Sequence, residues 1–390
     1  MSQEFSIGII GLGYVGLPLS IAFAEKYQVV GYDINEERVS ALKKRIDNTK
    51  EVDTSQFDTK KPIQFTSDLN DLSFCNVYIV TVPTPIDKEK QPDLSFLINA
   101  SKAIGSILKK GDIVIYESTV YPGCTEEECV PVLELTCGLK FNHDFYVGYS
   151  PERINPGDKT RPIQSIVKVT SGSTPEIASL IDDLYKTIIT AGTYLAPSIK
   201  VAEASKAIEN AQRDVNISFM NELALIFDKL DIDIDEVLEA AKTKWNFLPF
   251  KPGLVGGHCI GVDPHYLAYK AMQVGYTPKV ILSGREVNEQ MGVWMAEKII
   301  IHLAKKFNGD IKGKKVLILG FAFKENCADT RNTKVIDVYN TLTQAGLDVA
   351  VYDPWVDADT VKKEFGIELV QSKSGQFDYT FKAVNHSIFN

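Results

Sequence analysis

The chain is short of what several protein classes require. None of its six cysteines, Cys75, Cys124, Cys129, Cys137, Cys259 and Cys327, forms a C-x-x-C pair, and its five histidines are scattered. A zinc site needs clustered ligands and a disulfide framework needs paired thiols, so neither is expected, and no metal is. No apolar run reaches the length that spans a bilayer. The start, MSQEFSIGII, has no basic n-region and no cleavage-type sequence; it reads as a first strand, and the protein as cytoplasmic with no membrane partner. Basic charge is also scarce. Against 51 Asp+Glu stand 42 Lys+Arg, a net charge of −9, which argues against nucleic acid as a partner and leaves room only for a local basic pocket for a small phosphate ligand. Low-complexity tracts and short-period repeats are lacking. What is present, 44% apolar and 24% charged residues over 390 positions, is ordinary for a globular chain of two or three domains.

The first part of the chain alternates strand and helix signals. FSIGIIG is an apolar run ending in glycines, 16–26 reads as a helix, QVVGYD as a strand and 35–46 as a helix. NVYIVTVPTP and GDIVIYESTVYPG are further strands stopped by proline or glycine. This alternation implies a parallel sheet with crossover helices. The character changes near Pro197. SIKVAEASKAIENAQRDVNISFMNELALIFDKL has helical periodicity with few breakers and is long enough to be a spine helix between domains. Residues 234–303 continue mostly helical around LPFKPGLVGGHCIGVDPHY. After KGKK the first pattern returns, with VLILGFAFK, a helix at 333–345 and LDVAVYDP. The fold expected is α/β, two Rossmann-like doubly wound domains joined by a central helical region. The boundaries are 1–196, 197–303 and 304–390.

Gly11, Gly13 and Gly16 form G-x-G-x-x-G between the first strand and the next helix. The first glycine suits a tight turn, the second a close pyrophosphate and the third helix–strand packing, with the helix N-terminus facing the phosphates. Asp33 ends the second strand, where a carboxylate binds ribose hydroxyls and repels a 2′-phosphate, so the cofactor expected is NAD. Gly320 begins no such fingerprint, and Lys324 and Arg331 beside it suit either a different phosphate ligand or plain solvation.

Cys259 lies among Gly253, Gly256, Gly257 and Gly261, which let backbone crowd close to a ligand. A thiolate there can attack a carbonyl carbon, with Asp263 four residues on to orient a water or a base; the plainer alternative is a buried structural cysteine. Glu203, Lys206, Asn210 and Arg213 share one face of the spine helix, either solvated or, since alanines flank them, lining a cavity. SPERINPG puts Glu152 and Arg153 just after a strand, where catalytic residues of α/β folds gather.

Taken together, GLGYVGLPL, VTVPTP, ESTVYPG, YSPERINPG, AEASKAIENAQRDVNISFMNE, FLPFKPGLVGGHCIGVDPHYL, GREVNEQM and LGFAFKENCADTRNT resemble, in this order and over nearly the whole chain, the nucleotide-sugar 6-dehydrogenases of the UDP-glucose/GDP-mannose dehydrogenase superfamily. SPERINPG and FLPFKPGLVGGHC resemble most the UDP-N-acetylhexosamine branch used for O-antigen and capsule sugars. The resemblance implies an N-terminal NAD domain, a central helical region through which homodimers form, and a C-terminal UDP-sugar domain. It also implies a reaction: NAD-dependent four-electron oxidation of the C6 hydroxyl of a UDP-N-acetylhexosamine, UDP-GlcNAc before UDP-GalNAc, to the uronic acid through a cysteine thiohemiacetal and thioester. Oxidation of UDP-glucose or UDP-ManNAc is the near alternative, and non-catalytic sugar-nucleotide binding the distant one.

By resemblance, Cys259 is the nucleophile, Lys206 and Asn210 contact the reacting oxygen, and Asp263 assists the water or base. Thr119 and Glu152 place catalytic water. Arg153 and Ile154 lie near the sugar or phosphates, with Arg213 on the same helix face as Lys206. Phe250 and Gly256 fall in the loop holding the nucleotide sugar, and Arg285 reaches into a partner subunit's site. Lys324 contacts the sugar nucleotide and Arg331 lies near cofactor and substrate, which reverses the solvated reading of these two cations. For NAD the implied contacts are Gly11, Gly13, Tyr14, Val15, Gly16, Asp33, Arg38, Thr84 and Thr119. One stretch departs from the pattern: FDYTFKAVNHSIFN stands where the family has a fully apolar strand and further elements. A shortened C-terminal domain with exposed apolar surface is therefore expected.

Overall fold

The computed structural model describes residues 5–154 and 160–389. The chain forms two compact units, one of Met1–Glu209 with His265–Lys270, the other of Asn210–Pro264 with Ala271–Asn390.

Unit 1 is built on a six-stranded, all-parallel sheet. Its elements are β1 (Ser6–Ile10), α1 (Gly16–Ala24), β2 (Gln28–Tyr32), α2 (Glu36–Lys43), β3 (Ile63–Thr66), β4 (Val77–Val80), α3 (Ser95–Gly105), β5 (Ile113–Tyr116), α4 (Val130–Cys137) and β6 (Tyr146–Tyr149). The strand order is β3-β2-β1-β4-β5-β6, so the direction of winding reverses between β1 and β4. That switch point opens a crevice at the carboxyl ends of the strands. Strands covered on both faces must be apolar throughout, which is why VYIV and IVIY are buried at every position. Helix α1, GLPLSIAFA, carries no charge because eight of its nine residues are buried. A short parallel pair, β7 (Lys168–Thr170) and β8 (Thr193–Leu195), flanks α5 (Pro175–Lys186), whose start is capped by Thr174 accepting from the Ile177 N–H.

The predicted spine is α6 (Ile199–Lys229), 31 residues without a break. Unit 2 takes α7 (Ile234–Ala241) and α9 (Lys279–Lys306), while α8 (Asp263–Gln273) begins in unit 2 and contributes 265–270 to unit 1. The remaining elements are β9 (Lys315–Leu319), α10 (Val335–Gln344), β10 (Asp348–Tyr352), α11 (Ala358–Phe365) and β11 (Tyr379–Lys382). They form a three-stranded parallel sheet, order β10-β9-β11. Ala296, Ile299 and Leu303 of α9 pack with Val316 and Ile318 of β9 and Val338 and Leu342 of α10.

The unpromising YTFK forms β11 and pairs with β9 from Tyr379↔Val316 to Lys382↔Leu319. Alternation explains it: Tyr379 and Phe381 face the core, while Thr380 and Lys382 face out, as an edge strand permits. Among the described residues of this region, Trp355 and Ile388 are the exposed large apolar side chains. No helix among the described residues is long and apolar enough to cross a membrane.

Candidate active site

At the switch point of unit 1 the three glycines meet three different demands. Gly11 has φ +93°, and a Cβ there would stand 3.0 Å from the Thr81 carbonyl oxygen. A Cβ at Gly16 would fall 1.9 Å from the Gly11 oxygen, so only glycine lets α1 start so close to β1. A Cβ at Gly13 would meet nothing within 4 Å among the described residues, which leaves that side of the backbone open to a ligand. Asp33 Oδ2 accepts the Leu12 N–H at 2.8 Å, tying the end of β2 to the glycine turn. Arg38 Nε donates to Leu12 O at 2.9 Å and its Nη1 pairs with Asp47 at 2.8 Å, while its buried Nη2 has no hydrogen-bond partner among the described residues. Burial works against charge on Asp47, yet hydrogen bonds from Thr49, Val52 and Arg38 hold its carboxyl below the ordinary value. An open glycine turn, a strand-ending carboxylate and an orphaned guanidinium nitrogen fit a dinucleotide. Tyr14, Thr84 and Thr119 are half-buried around this end of the sheet and Val15 is buried.

A second group of charges lies inside unit 1. Lys206 Nζ stands 3.7 Å from Glu152 Oε2, and each residue is only 5% exposed. Burial pushes the Glu152 carboxyl up, against the pull of Lys206 and Lys168. Glu152 also accepts the Ile154 N–H. Arg153 turns away to Glu209 and to Val167 O at 2.9 Å. Asn155, Pro156 and Gly157 of the same motif lie outside the described residues. Behind Glu152 stands a pair the sequence did not signal. Lys168 Nζ donates to Glu117 Oε2 at 2.6 Å and to Pro151 O at 3.1 Å, and Tyr185 donates its hydroxyl to the other oxygen of Glu117. Glu117, Glu152 and Lys168 line a small cavity with Arg153, Ile154, Ile163 and Ile166. On α6, Glu203 is not a ligand group. It is fully buried and accepts the N–H groups of Gly123 and Thr125, and burial raises its carboxyl to about 7.

In unit 2, Cys259 sits in the turn that leads into α8. Its carbonyl accepts the Val262 and Asp263 N–H groups at 3.0 and 2.8 Å. The glycines before it are demanded by a close approach. A Cβ at Gly256 would fall 2.6 Å from Asn332 O, and one at Gly257, with φ +86°, 2.7 Å from the Phe323 ring. Asp263 is 1% exposed, and Asn210 Nδ2 donates to its Oδ2 at 2.5 Å. Two residues that sequence reasoning passed over stand beside this turn. Asp329 binds Arg331 through two hydrogen bonds from Nε, both 3.0 Å, and faces His258 Nδ1 at 3.2 Å; Arg331 Nη2 lies 3.0 Å from the same ring nitrogen. Burial works against charge on Asp329, yet His258 and Arg331 hold its carboxyl well below the ordinary range. The only signal for His258 was its place next to the cysteine. Lys324 lies over the Phe323 ring at 5.6 Å. Phe250 is half-buried and Arg213 exposed. Arg285 is buried and paired with Asp214 at 2.7 Å within its own chain.

The fold and the glycine turn define a dinucleotide-binding α/β protein, and its buried acid–lysine and cysteine-loop groups mark it as an enzyme. By comparison with known proteins, the chain belongs to the UDP-glucose/GDP-mannose dehydrogenase family. Residues 5–189 match its NAD binding domain, 200–290 its central domain and 317–390 its UDP binding domain. It is an NAD-dependent nucleotide-sugar dehydrogenase. A UDP-N-acetyl-D-glucosamine 6-dehydrogenase from Pseudomonas aeruginosa is 56% identical over 388 residues, 99% of this chain and 92% of the relative. One from Salmonella typhi is 55% identical over 388 residues, 99% of this chain and 91% of the relative. Among solved structures, a UDP-D-ManNAc dehydrogenase from Pyrococcus horikoshii superposes with a TM-score of 0.89 at 30% identity, covering 98% of this chain and 90% of that one.

Proposed function

We propose that the chain oxidises the C6 hydroxyl of a UDP-N-acetylhexosamine, UDP-GlcNAc in preference to UDP-GalNAc, to the carboxylate. The observation that carries the reading is the Cys259 turn, held by Gly256 and Gly257 and followed at once by the buried Asp263–Asn210 pair. The Pseudomonas and Salmonella relatives named for UDP-GlcNAc, each matched over nearly their full length, support the choice of sugar.

NAD, when bound, accepts a hydride at each of the two oxidation levels. The work of the chain's own residues is the rest. Gly11, Gly13 and Gly16 open the turn to a pyrophosphate, and Asp33 takes a ribose. Lys206 holds the developing oxyanion at O6 or moves its proton, with Asn210 as a second donor. The Cys259 thiolate adds to the aldehyde carbon, forming a C–S bond and giving a thiohemiacetal; after the second oxidation the same bond is a thioester. Water, oriented by Asp263, Thr119 and Glu152, then breaks the C–S bond, releasing the acid and restoring the thiol. Burial, which raises the Glu152 carboxyl against the pull of Lys206 and Lys168, makes it a better proton acceptor than an exposed carboxylate.

In this reading residues 1–196 bind NAD, 197–303 carry the cysteine loop and the homodimer contact, and 304–390 bind the UDP group. Arg153, Ile154, Arg213, Phe250, Gly256, Arg285 and Lys324 hold the substrate, and Arg331 is an arginine near cofactor and substrate. Exposed Ile208, Phe219 and Ile226 on α6 support a dimer formed through that helix, in the cytoplasm. The test is the ratio of NADH formed to UDP-GlcNAc consumed, with UDP-GalNAc, UDP-ManNAc and UDP-glucose run beside it. Two NADH per sugar, fastest with UDP-GlcNAc, is expected; one NADH with aldehyde released would overturn the cysteine pathway.

A further inference from the structure

The C-terminal sheet repeats a turn of the N-terminal one. After β1, Gly11 N–H reaches Tyr32 O at 2.9 Å and Leu12 N–H reaches Asp33 Oδ2 at 2.8 Å. After β9, Gly320 has φ +90° and its N–H reaches Tyr352 O at 2.9 Å; Phe321 and Ala322 N–H reach Asp353 Oδ2 at 2.6 and 3.0 Å. Each aspartate ends the strand beside its turn. Their surroundings differ. Asp33 is half-buried, but Asp353 is 5% exposed, because His386 closes over it with Nε2 3.1 Å from Oδ2.

His386 is itself fully buried, and its other nitrogen is spoken for. Nδ1 accepts the Asn326 N–H at 2.8 Å, so the neutral ring carries its proton on Nε2 and donates it to Asp353. Ser387 adds two bonds to Asn326 Oδ1, both 3.0 Å, and the Trp355 ring stacks on the imidazole at 5.9 Å. Val384 covers Gly320, where a Cβ would meet its side chain at 2.5 Å. The 320–326 loop is thus clasped at both ends by residues 384–387. That loop carries Lys324 and Phe323. The Phe323 ring lies against Gly257 and meets the His258 ring edge-on at 6.0 Å, so the loop's position is passed to the turn before Cys259.

We propose that His386 is a positioning residue for the sugar nucleotide: it fills the place at a strand-ending aspartate where a dinucleotide fold takes a ribose, and so fixes the loop that presents Lys324 and Phe323. The proposal rests on the reading above in which Lys324 contacts the UDP-sugar. It also implies that the second sheet takes no second NAD, since His386 covers the carboxylate oxygen that a ribose would have to reach.

The experiment is steady-state kinetics on the whole chain, varying UDP-GlcNAc and NAD separately, for the wild type, Lys324→Ala, His386→Ala, His386→Asn and Asn326→Ala. His386→Ala is expected to raise the KM for UDP-GlcNAc about tenfold, as for a buried hydrogen-bond network cut on both sides, and to leave the KM for NAD unchanged. His386→Asn, whose Oδ1 can still accept the Asn326 N–H, should recover part of that loss. A merely structural role would lower the active fraction, and with it kcat, without moving either KM. Should His386→Ala fail to fold, His386→Asn and Asn326→Ala carry the test, each with a smaller rise in the same KM. If Lys324→Ala raises the KM for UDP-GlcNAc while the folded His386 and Asn326 variants do not, the proposal is overturned and the reading of Lys324 stands. If none of them moves it, both fall.

Discussion

Asn210 donates its side-chain amide to Asp263 at 2.5 Å, joining the middle of one helix to the first residue of another, with Asp263 almost wholly buried. Asp263 is the first residue of α8, where the helix dipole favours a carboxylate, and it accepts the Asn210 amide there. Asp263→Asn keeps the volume and removes the charge. It is expected to lower kcat by about a hundredfold, the usual worth of a general acid–base group, with the KM for NAD unchanged. Initial rates with each substrate varied would check this. An unaltered kcat would remove Asp263 from the mechanism.

Cys259→Ala should leave stability close to the wild type, because the side chain is only half-buried and an alanine there opens no closed cavity. Turnover should fall below detection. Intact-mass spectrometry of the wild type quenched during turnover should show a sugar-nucleotide adduct that the variant lacks. Sustained two-NADH turnover by the alanine form would contradict the covalent pathway.

The Lys168–Glu117 pair is buried on both sides, with side-chain exposures of 4% and 0%. Removing one partner strands the other. Lys168→Met is therefore expected to cost about 3–5 kcal/mol, and Lys168→Met with Glu117→Leu considerably less. Urea denaturation of the three proteins measures the coupling. Equal losses in the single and double variants would mean that packing, rather than charge, sets the cost.

Glu203 supplies a pH signature. Its folded value of about 7 lies above the unfolded value of 4.5, so the folded state holds the proton more tightly. The stability it contributes is complete below about pH 4.5 and is lost as pH rises through about 7, a change of order 3 kcal/mol by linkage. Glu203→Gln keeps an acceptor for the Gly123 or Thr125 N–H and cannot ionise. The wild type should therefore lose stability relative to this variant between pH 5 and pH 7.5, read from urea midpoints at each pH. Parallel midpoints across that range would show that the carboxyl titrates at its ordinary value.

Much of this was legible in the chain itself. The alternation that ends at Pro197, the uninterrupted α6 and the G-x-G-x-x-G turn with Asp33 come from local rules: apolar runs make strands that are buried on both faces, and a missing Cβ allows the Gly11 turn. The short strands β3, β7 and β8, of three or four residues, hold too few positions for any period to show. YTFK reads as a poor strand because only its alternate residues are apolar, and it becomes one because β9 offers an open edge.

The sequence by itself determined the winding of the sheet, the class of cofactor and the cysteine loop, since each depends on residue type and near-neighbour spacing. Tertiary structure alone decided which charges are buried. Glu203 and Lys206 lie on one helix face, yet the first caps backbone amides and the second faces Glu152, 54 positions earlier in the chain. Lys168 meets Glu117 across 51 positions, and His386 meets Asp353 across 33. No local pattern encodes such pairs, because the cost of burying a charge is met only when the fold brings its partner to it.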